Sequence, residues 1–325
     1  MDGTMWDVVV IGGGPAGLGG ALALTRARRS VLVVDSGEPR NAPAEGVHVY
    51  LGREGLAPGE LLSAGREEVR GYGGEFTDGV VAAAAPAEDG GFTVELAGGR
   101  RLRAARLLVT TGLVDELPDV PGLAGLWGGD VPHCPYCHGW ELRDRAIGVL
   151  STGPFAAHQA LLWRQWSADV TLFLHRGPEP SEEEYEQLAA RGIAVVDGEV
   201  AGLETSDGRL TGVRLAAGPT VACRALVAAP FLAARAGFLA GLGLATVEQE
   251  MAGHVVGTRI DADPAGATAV PGVWVAGNVN DPMAQVIGAA AAGVKAGAGI
   301  NADLIAEETR EAVRARRALA GQATA

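Results

Sequence analysis

Residues 7–11, DVVVI, form an unbroken apolar, β-branched run that leads directly into Gly12-Gly13-Gly14-Pro15-Ala16-Gly17. Such a run suits a strand covered on both faces of a parallel sheet. Residues 18–28, rich in Leu and Ala, then read as a helix, and residues 31–34 as a second strand ending at Asp35. Gly12, Gly14 and Gly17 therefore have GxGxxG spacing inside a strand–turn–helix–strand unit, the context that gives the motif its physical meaning. The first glycine permits the tight turn, the second lets backbone amides approach a pyrophosphate, and the third allows close helix packing. Pro15 and Ala16 complete the turn, and Asp35 is placed to accept hydrogen bonds from an adenosine ribose. A dinucleotide site is expected here; the alternative is a doubly wound fold with an empty turn.

A degraded copy of the unit occupies residues 147–176. Laying Gly153-Pro154 on Gly14-Pro15 puts Ser151 in place of the first glycine, Ala156 in place of the third, and His175-Arg176 where the acid would stand. Alanine is tolerated at the third position, and an arginine in place of the acid favours a 2′-phosphate. Serine at the tight turn argues the other way, so NADPH binding stays open. Residues 107–110 and 273–276 read as further buried strands, and a helix is expected from about 284 to 307, followed by a solvated helix end and a frayed terminus. The predicted fold class is α/β with two Rossmann-like dinucleotide-binding domains, residues 1–114 and 245–325 forming the first and residues 115–244 inserted as the second.

Charge narrows the partners. The 39 acidic and 26 basic residues give −13, a poor match for nucleic acid or an anionic membrane surface. No signal peptide or spanning segment is expected, which points to a reducing, cytoplasmic setting where three cysteines do not build a disulfide framework. Two of them nevertheless have CxxC spacing.

The segment from His133 to Glu141, HCPYCHGWE, is the densest cluster of reactive side chains. Four ligands from six consecutive positions do not readily converge on zinc. The c-type haem pattern CxxCH normally goes with export, which the N-terminus does not suggest. Two reduced thiols buried in a loop, or a dithiol cycling through a disulfide, remain. Local chemistry favours cycling: with Pro135 at the first helical position, Cys134 becomes an N-cap whose sulfur faces first-turn amides, lowering its pKa. His138 can exchange a thiol proton near neutral pH, and Glu141 is spaced to orient it.

These residues together resemble the low-molecular-weight thioredoxin reductase family of flavoproteins. CxxC followed by His, with SGEPRNAP after the second strand, is most similar to the dithiol oxidases that close the disulfides of gliotoxin- and holomycin-type natural products. The resemblance implies FAD, a redox dithiol at Cys134 and Cys137, and a homodimer. By position it places Gly12, Gly14, Gly17 and Asp35 on the ADP half of FAD. Arg40, Asn41 and His48 fall on its flavin side, and Gln285, near Gly277 and Asn278, at the pyrimidine edge. Asn278 stands where the reductases usually carry Asp. Cys137 would be nearer the flavin and Cys134 would meet the substrate.

Because Ser151-Thr152-Gly153 departs from an intact glycine turn, molecular oxygen is expected to reoxidise the flavin, with a small-molecule dithiol as the substrate. An NADPH-dependent disulfide reductase and a non-catalytic flavin-binding redox sensor are the rivals. Cys223 reads as a small hydrophobe in a strand, Trp163 and Trp166 as core or interface, and Trp140 as a candidate lining of a substrate cleft.

Overall fold

The computed structural model of the protein describes residues 4–322. Its first strand, Met5–Ile11, lies inside a seven-stranded sheet. Glu75–Asp78, Val31–Asp35, Met5–Ile11 and Arg101–Val109 follow one another in parallel, and Val273–Val275 adds parallel to the last of them. Antiparallel strands Phe92–Leu96 and Val81–Pro86 continue the sheet. Strand periodicity explains the two-sided burial: Val8 and Val10 face the helices Pro15–Arg26 and Val286–Gln322, while Val9 and Ile11 enter the opposite core with Phe92 and Leu239.

Those two helices approach backbone to backbone. A Cβ on Gly293 would collide with the Ala16 carbonyl, and one on Gly19 would lie 2.5 Å from the Ala290 oxygen. Much of the chain's glycine is thus a packing requirement. The first helix starts three residues ahead of the expected 18–28, because Pro15 occupies its first position, and it stops where Arg28 takes a left-handed φ of 66°. The last helix runs to Gln322 rather than ending near 307, since its Ala-, Glu- and Arg-rich tail is made of strong helix formers. Of the tail expected to end in a frayed terminus, residues 323–325 lie outside the described residues.

The inserted unit carries a parallel sheet in the order Ala194–Val196, Val170–Phe173, Ile147–Leu150, Ala225–Val227. The Ser151 amide donates to the Phe173 carbonyl at 2.8 Å, as the Gly12 amide does to Val34 at 2.8 Å, so Ser151 does occupy the first-glycine position. That register puts Leu174, one residue before His175, opposite Asp35. Helix Ala156–Trp163 begins two residues later than its counterpart, with Phe155 rather than a glycine as N-cap. Trp163 is fully buried, and Trp166 sits edge-on to Tyr136. Cys223 is buried but lies between strands Thr220–Ala222 and Ala225–Val227 rather than within one.

The architecture is α/β with two Rossmann-type units, one inserted into the other. The chain leaves the first sheet through Leu113–Glu116 and returns through Phe231–Ala234, and these crossing strands pair antiparallel. The expected boundary at 114 falls inside the outgoing strand, and the return crossing lies upstream of 245. Among the described residues no helix is long and apolar enough to cross a membrane.

Gly293→Ala is expected to lower unfolding free energy by about 1–3 kcal/mol through overpacking. Gly288→Ala, whose added Cβ would meet only the Ala284 Cβ at 4.0 Å, is expected to be neutral or slightly stabilising. Urea denaturation of the two variants checks the contrast.

Candidate functional site

One cavity of about 1430 Å³ runs from the first glycine turn, past the cysteine pair, into the inserted unit. Gly12, Gly14, Pro15, Ala16, Asp35, Arg40, Asn41, His48, Cys134, Cys137, His138, Gly277, Asn278 and Gln285 all line it. Gly17 sits behind the wall, packed against the Gly12 carbonyl, and Glu141 lies outside it.

The glycine turn has the form of an anion cradle. Gly12 takes φ +109° and has no room for a Cβ beside the Thr110 carbonyl, whereas a Cβ on Gly14 would meet nothing within 4 Å. That open space faces the start of helix Pro15–Arg26, whose first-turn amides have no helical carbonyl before them and whose first turn carries no acid. Asp35 accepts from the Gly13 amide at 3.0 Å and pairs with Arg66. A carboxylate has about four lone-pair sites, so acceptor capacity remains for a ribose. These residues fit the ADP half of a dinucleotide such as FAD. The helix Val286–Gln322 also begins at the cavity, with Gln285 immediately before it and Val286 and Ala289 in the wall.

Cys134 and Cys137 are joined in a disulfide, with Cα atoms 5.3 Å apart. The expected local geometry is present in part: Cys134 is the N-cap and Pro135 the first residue of a helix. That helix is only Pro135–His138, however, and the amides of Cys137 and His138 donate to the Cys134 carbonyl, both at 3.2 Å. A single turn carries little macrodipole, so the expected activation of Cys134 by a helix start loses most of its basis. Burial lowers the His138 pKa; the nearby Glu141 charge opposes this and His48 reinforces it. His138 is therefore a neutral base at pH 7.

Glu141 lies beyond the short helix and approaches His48 Nε2 at 3.6 Å rather than bonding to His138. His48 Nδ1 meets Glu54 at 2.7 Å, and the other Glu54 oxygen accepts from the Val49 amide at 2.8 Å. Val49 is held at φ 59°, a strained conformation for a β-branched residue. Glu54 thus fixes both the ring of His48 and the turn that presents it.

Arg40 forms a fork with Asp115 at 2.7 and 2.6 Å and reaches Asn278 Oδ1 at 3.4 Å. Asn278 Nδ2 donates to the carbonyls of Asp281, Pro282 and Ala284 at 3.0, 3.3 and 2.9 Å. An aspartate could not donate these bonds, which gives a physical reason for asparagine at a position where the reductases usually carry acid. Asn278→Asp is expected to cost about 2 kcal/mol by turning a donor into a charge facing carbonyls, read as a lower urea midpoint.

Sequence reasoning gave no role to Trp127, Glu54 or Asp115, and weighed His133 only as a zinc ligand. His133 stacks on Trp127 with ring centroids 5.6 Å apart and lines the cavity. Burial, assisted by the Arg40 cation and opposed by Asp115, pushes its pKa down to about 4. Its position next to Cys134 was the only available signal. Because the unfolded imidazole binds a proton near pH 6.5 and the folded one near 4, stability is full above 6.5 and falls as pH drops between those values. Urea midpoints measured from pH 7 to pH 4 check this, and His133→Gln should flatten the slope by up to about 1.4 kcal/mol per pH unit.

Residues 6–297 match the family described as pyridine nucleotide-disulphide oxidoreductase, and the chain belongs to it. Thioredoxin reductase sirT of Leptosphaeria maculans is 32% identical over 92% of this chain and 94% of its own length. Thioredoxin reductase tcpT of Claviceps purpurea is 36% identical over 51% of this chain, and the match spans 54% of that protein. The crystal structure of HlmI superimposes with a TM-score of 0.87 at 46% identity over 97% of each chain. An oxidoreductase from Agrobacterium tumefaciens gives 0.85 at 36%, over 93% of this chain and 99% of that one. The protein is a disulfide oxidoreductase of thioredoxin reductase-like architecture.

Proposed function

We propose that this protein oxidises a dithiol in a small molecule to a disulfide, using FAD and molecular oxygen. The observation that carries the reading is the shared wall: the disulfide and the dinucleotide cradle open on one cavity. Support for this direction over NADPH-driven reduction comes from the second glycine turn. Arg176, the candidate for a 2′-phosphate, is paired with Glu199, and His175 Nδ1 accepts from the Val200 amide at 3.0 Å. Neither residue lines the cavity.

In the proposed reaction a substrate thiolate attacks Cys134 Sγ, the Cys134–Cys137 bond breaks, and Cys137 leaves as thiolate. His138 removes the proton of the second substrate thiol. That sulfur attacks the substrate sulfur of the mixed disulfide, forming the product disulfide and releasing Cys134. The substrate loses two electrons and the protein disulfide gains them. FAD would be held by the Gly12–Gly17 turn and Asp35, with Arg40, Asn41, His48, Gly277, Asn278 and Gln285 toward its flavin end, and would supply a two-electron acceptor for the Cys134/Cys137 dithiol that molecular oxygen can reoxidise, giving peroxide. The first unit would hold the cofactor and the inserted unit the dithiol.

The purified, yellow protein should consume oxygen with 1,2-bis(mercaptomethyl)benzene in the absence of any nicotinamide, and Cys137→Ser should abolish it. Bleaching of the flavin by NADPH, with turnover of a disulfide and no oxygen uptake with dithiols, would establish the reductive direction instead. The rate should fall as pH drops through the lowered pKa of His138, because only the neutral imidazole accepts a proton. His138→Asn should lose that acid limb and about 100-fold in kcat.

A further inference from the structure

Beyond the disulfide the cavity continues into a lobe of the inserted unit. Its walls are the ends of strands Ile147–Leu150 and Ala225–Val227, the turn at Thr152–Phe155 and the start of helix Ala156–Trp163. This is the place that corresponds to the anion cradle of the first unit, yet its chemistry differs. Among the residues lining it from 149 to 162 and from 227 to 232 there is no lysine or arginine; His158 is the one basic side chain in those stretches, and Arg235 is the next along the chain to line the cavity. The wall is mostly apolar, through Val149, Leu150, Pro154, Leu162 and Val227. Phe155 closes one side, meeting the His254 ring edge-on at 5.8 Å. A dinucleotide diphosphate placed there would give up water with no lysine or arginine from those stretches to meet it, a large desolvation cost. The Gln159 carboxamide also lines the lobe, and its Oε1 is buried without a hydrogen-bond partner. An unpaired buried acceptor is costly, and a ligand N–H or O–H met by a turn of this amide would relieve it.

We infer that this lobe, at the site of the degraded glycine turn, is the substrate pocket. It takes the uncharged, largely apolar body of a thiol-bearing molecule that also carries a hydrogen-bonding group for Gln159, while the sulfurs extend along the same cavity to Cys134. The inference rests on the dithiol reading above for the identity of the ligand, but not for the existence of the pocket. A small ligand pocket of this kind, apolar with a few polar anchors, holds substrate in ground and transition states alike. Filling it therefore acts on KM.

The test uses the holoprotein and two probes: 1,2-bis(mercaptomethyl)benzene as substrate and its S,S-dimethyl thioether, which has no thiol to react. Ala229 is exposed at the rim of the lobe. Ala229→Trp is expected to weaken calorimetric binding of the thioether about tenfold and to raise KM for the dithiol by a similar factor, leaving kcat within about twofold. Gln159→Leu, close in size, should weaken calorimetric binding of an amide-bearing analogue of the thioether and leave that of the plain thioether unchanged. Unchanged KM and thioether affinity in a folded Ala229→Trp variant overturn the pocket, as does displacement of the thioether by NADPH. Should the variant not fold, the Gln159→Leu contrast between the two thioethers decides in its place. If no dithiol is oxidised but thioether binding is present and lost on Ala229→Trp, the pocket stands and the oxidase reading falls. If oxygen uptake is present but thioether binding is unaltered in the variant, the oxidase reading stands and the pocket falls.

Discussion

The structure depends on the pair of strands that carry the chain between its two units. Leu113–Glu116 and Phe231–Ala234 form one antiparallel ribbon, and Asp115, on the outgoing strand, is clamped by Arg40 from a loop of the first unit. A bidentate guanidinium–carboxylate pair fixes orientation as well as distance, and Asp115 is almost fully withdrawn from solvent. The same Arg40 reaches Asn278, whose amide ties down the loop leading to the last helix. A single side chain therefore couples the crossing point, the loop leading to the last helix and the loop after Asp35. His48, near Glu141 of the redox segment, makes a second approach between the units. Without such links the disulfide and the glycine cradle would belong to separate surfaces.

The electrostatics follow from that closure. His133 and His138 are both driven toward the neutral form, burial being the leading cause for each. A neutral imidazole beside a disulfide can accept a thiol proton, whereas a protonated one cannot. Glu54, held below its ordinary pKa mainly by the hydrogen bond to His48, instead sits at the solvent edge, where its value is in holding the Val49 turn. Charged groups thus surround the site while His133 and His138 within it are held toward the neutral form.

Much of this was legible beforehand. The strand–glycine–helix–strand order implied the parallel sheet, and the repeat at 147–176 marked the second unit, down to the Ser151 register. The segment HCPYCHGWE located the cysteine pair that forms the disulfide. Element ends were less legible: nothing in residues 18–28 announced a helix starting at Pro15, and the solvated tail concealed a helix that continues on propensity alone. Glu141, expected one helical turn beyond His138, lies past a helix that ends at His138, so its carboxylate approaches His48 while its charge still acts on His138. Glu54 and Asp115 carry no motif of their own, and what they hold in the site is set by the folded chain, so no local pattern could have singled them out.

The amino-acid order alone sets the local chemistry: which turn can accept a pyrophosphate, which two sulfurs can pair, which segments can form strands and helices. These are properties of short stretches, governed by backbone sterics and covalent spacing. It took the folded chain to bring cradle, dithiol and degraded turn onto one cavity, to commit Arg176 to Glu199, and to turn Asn278 toward its own loop. Such outcomes depend on burial and on partners gathered from distant parts of the chain, and both come into being only when the two units close on each other.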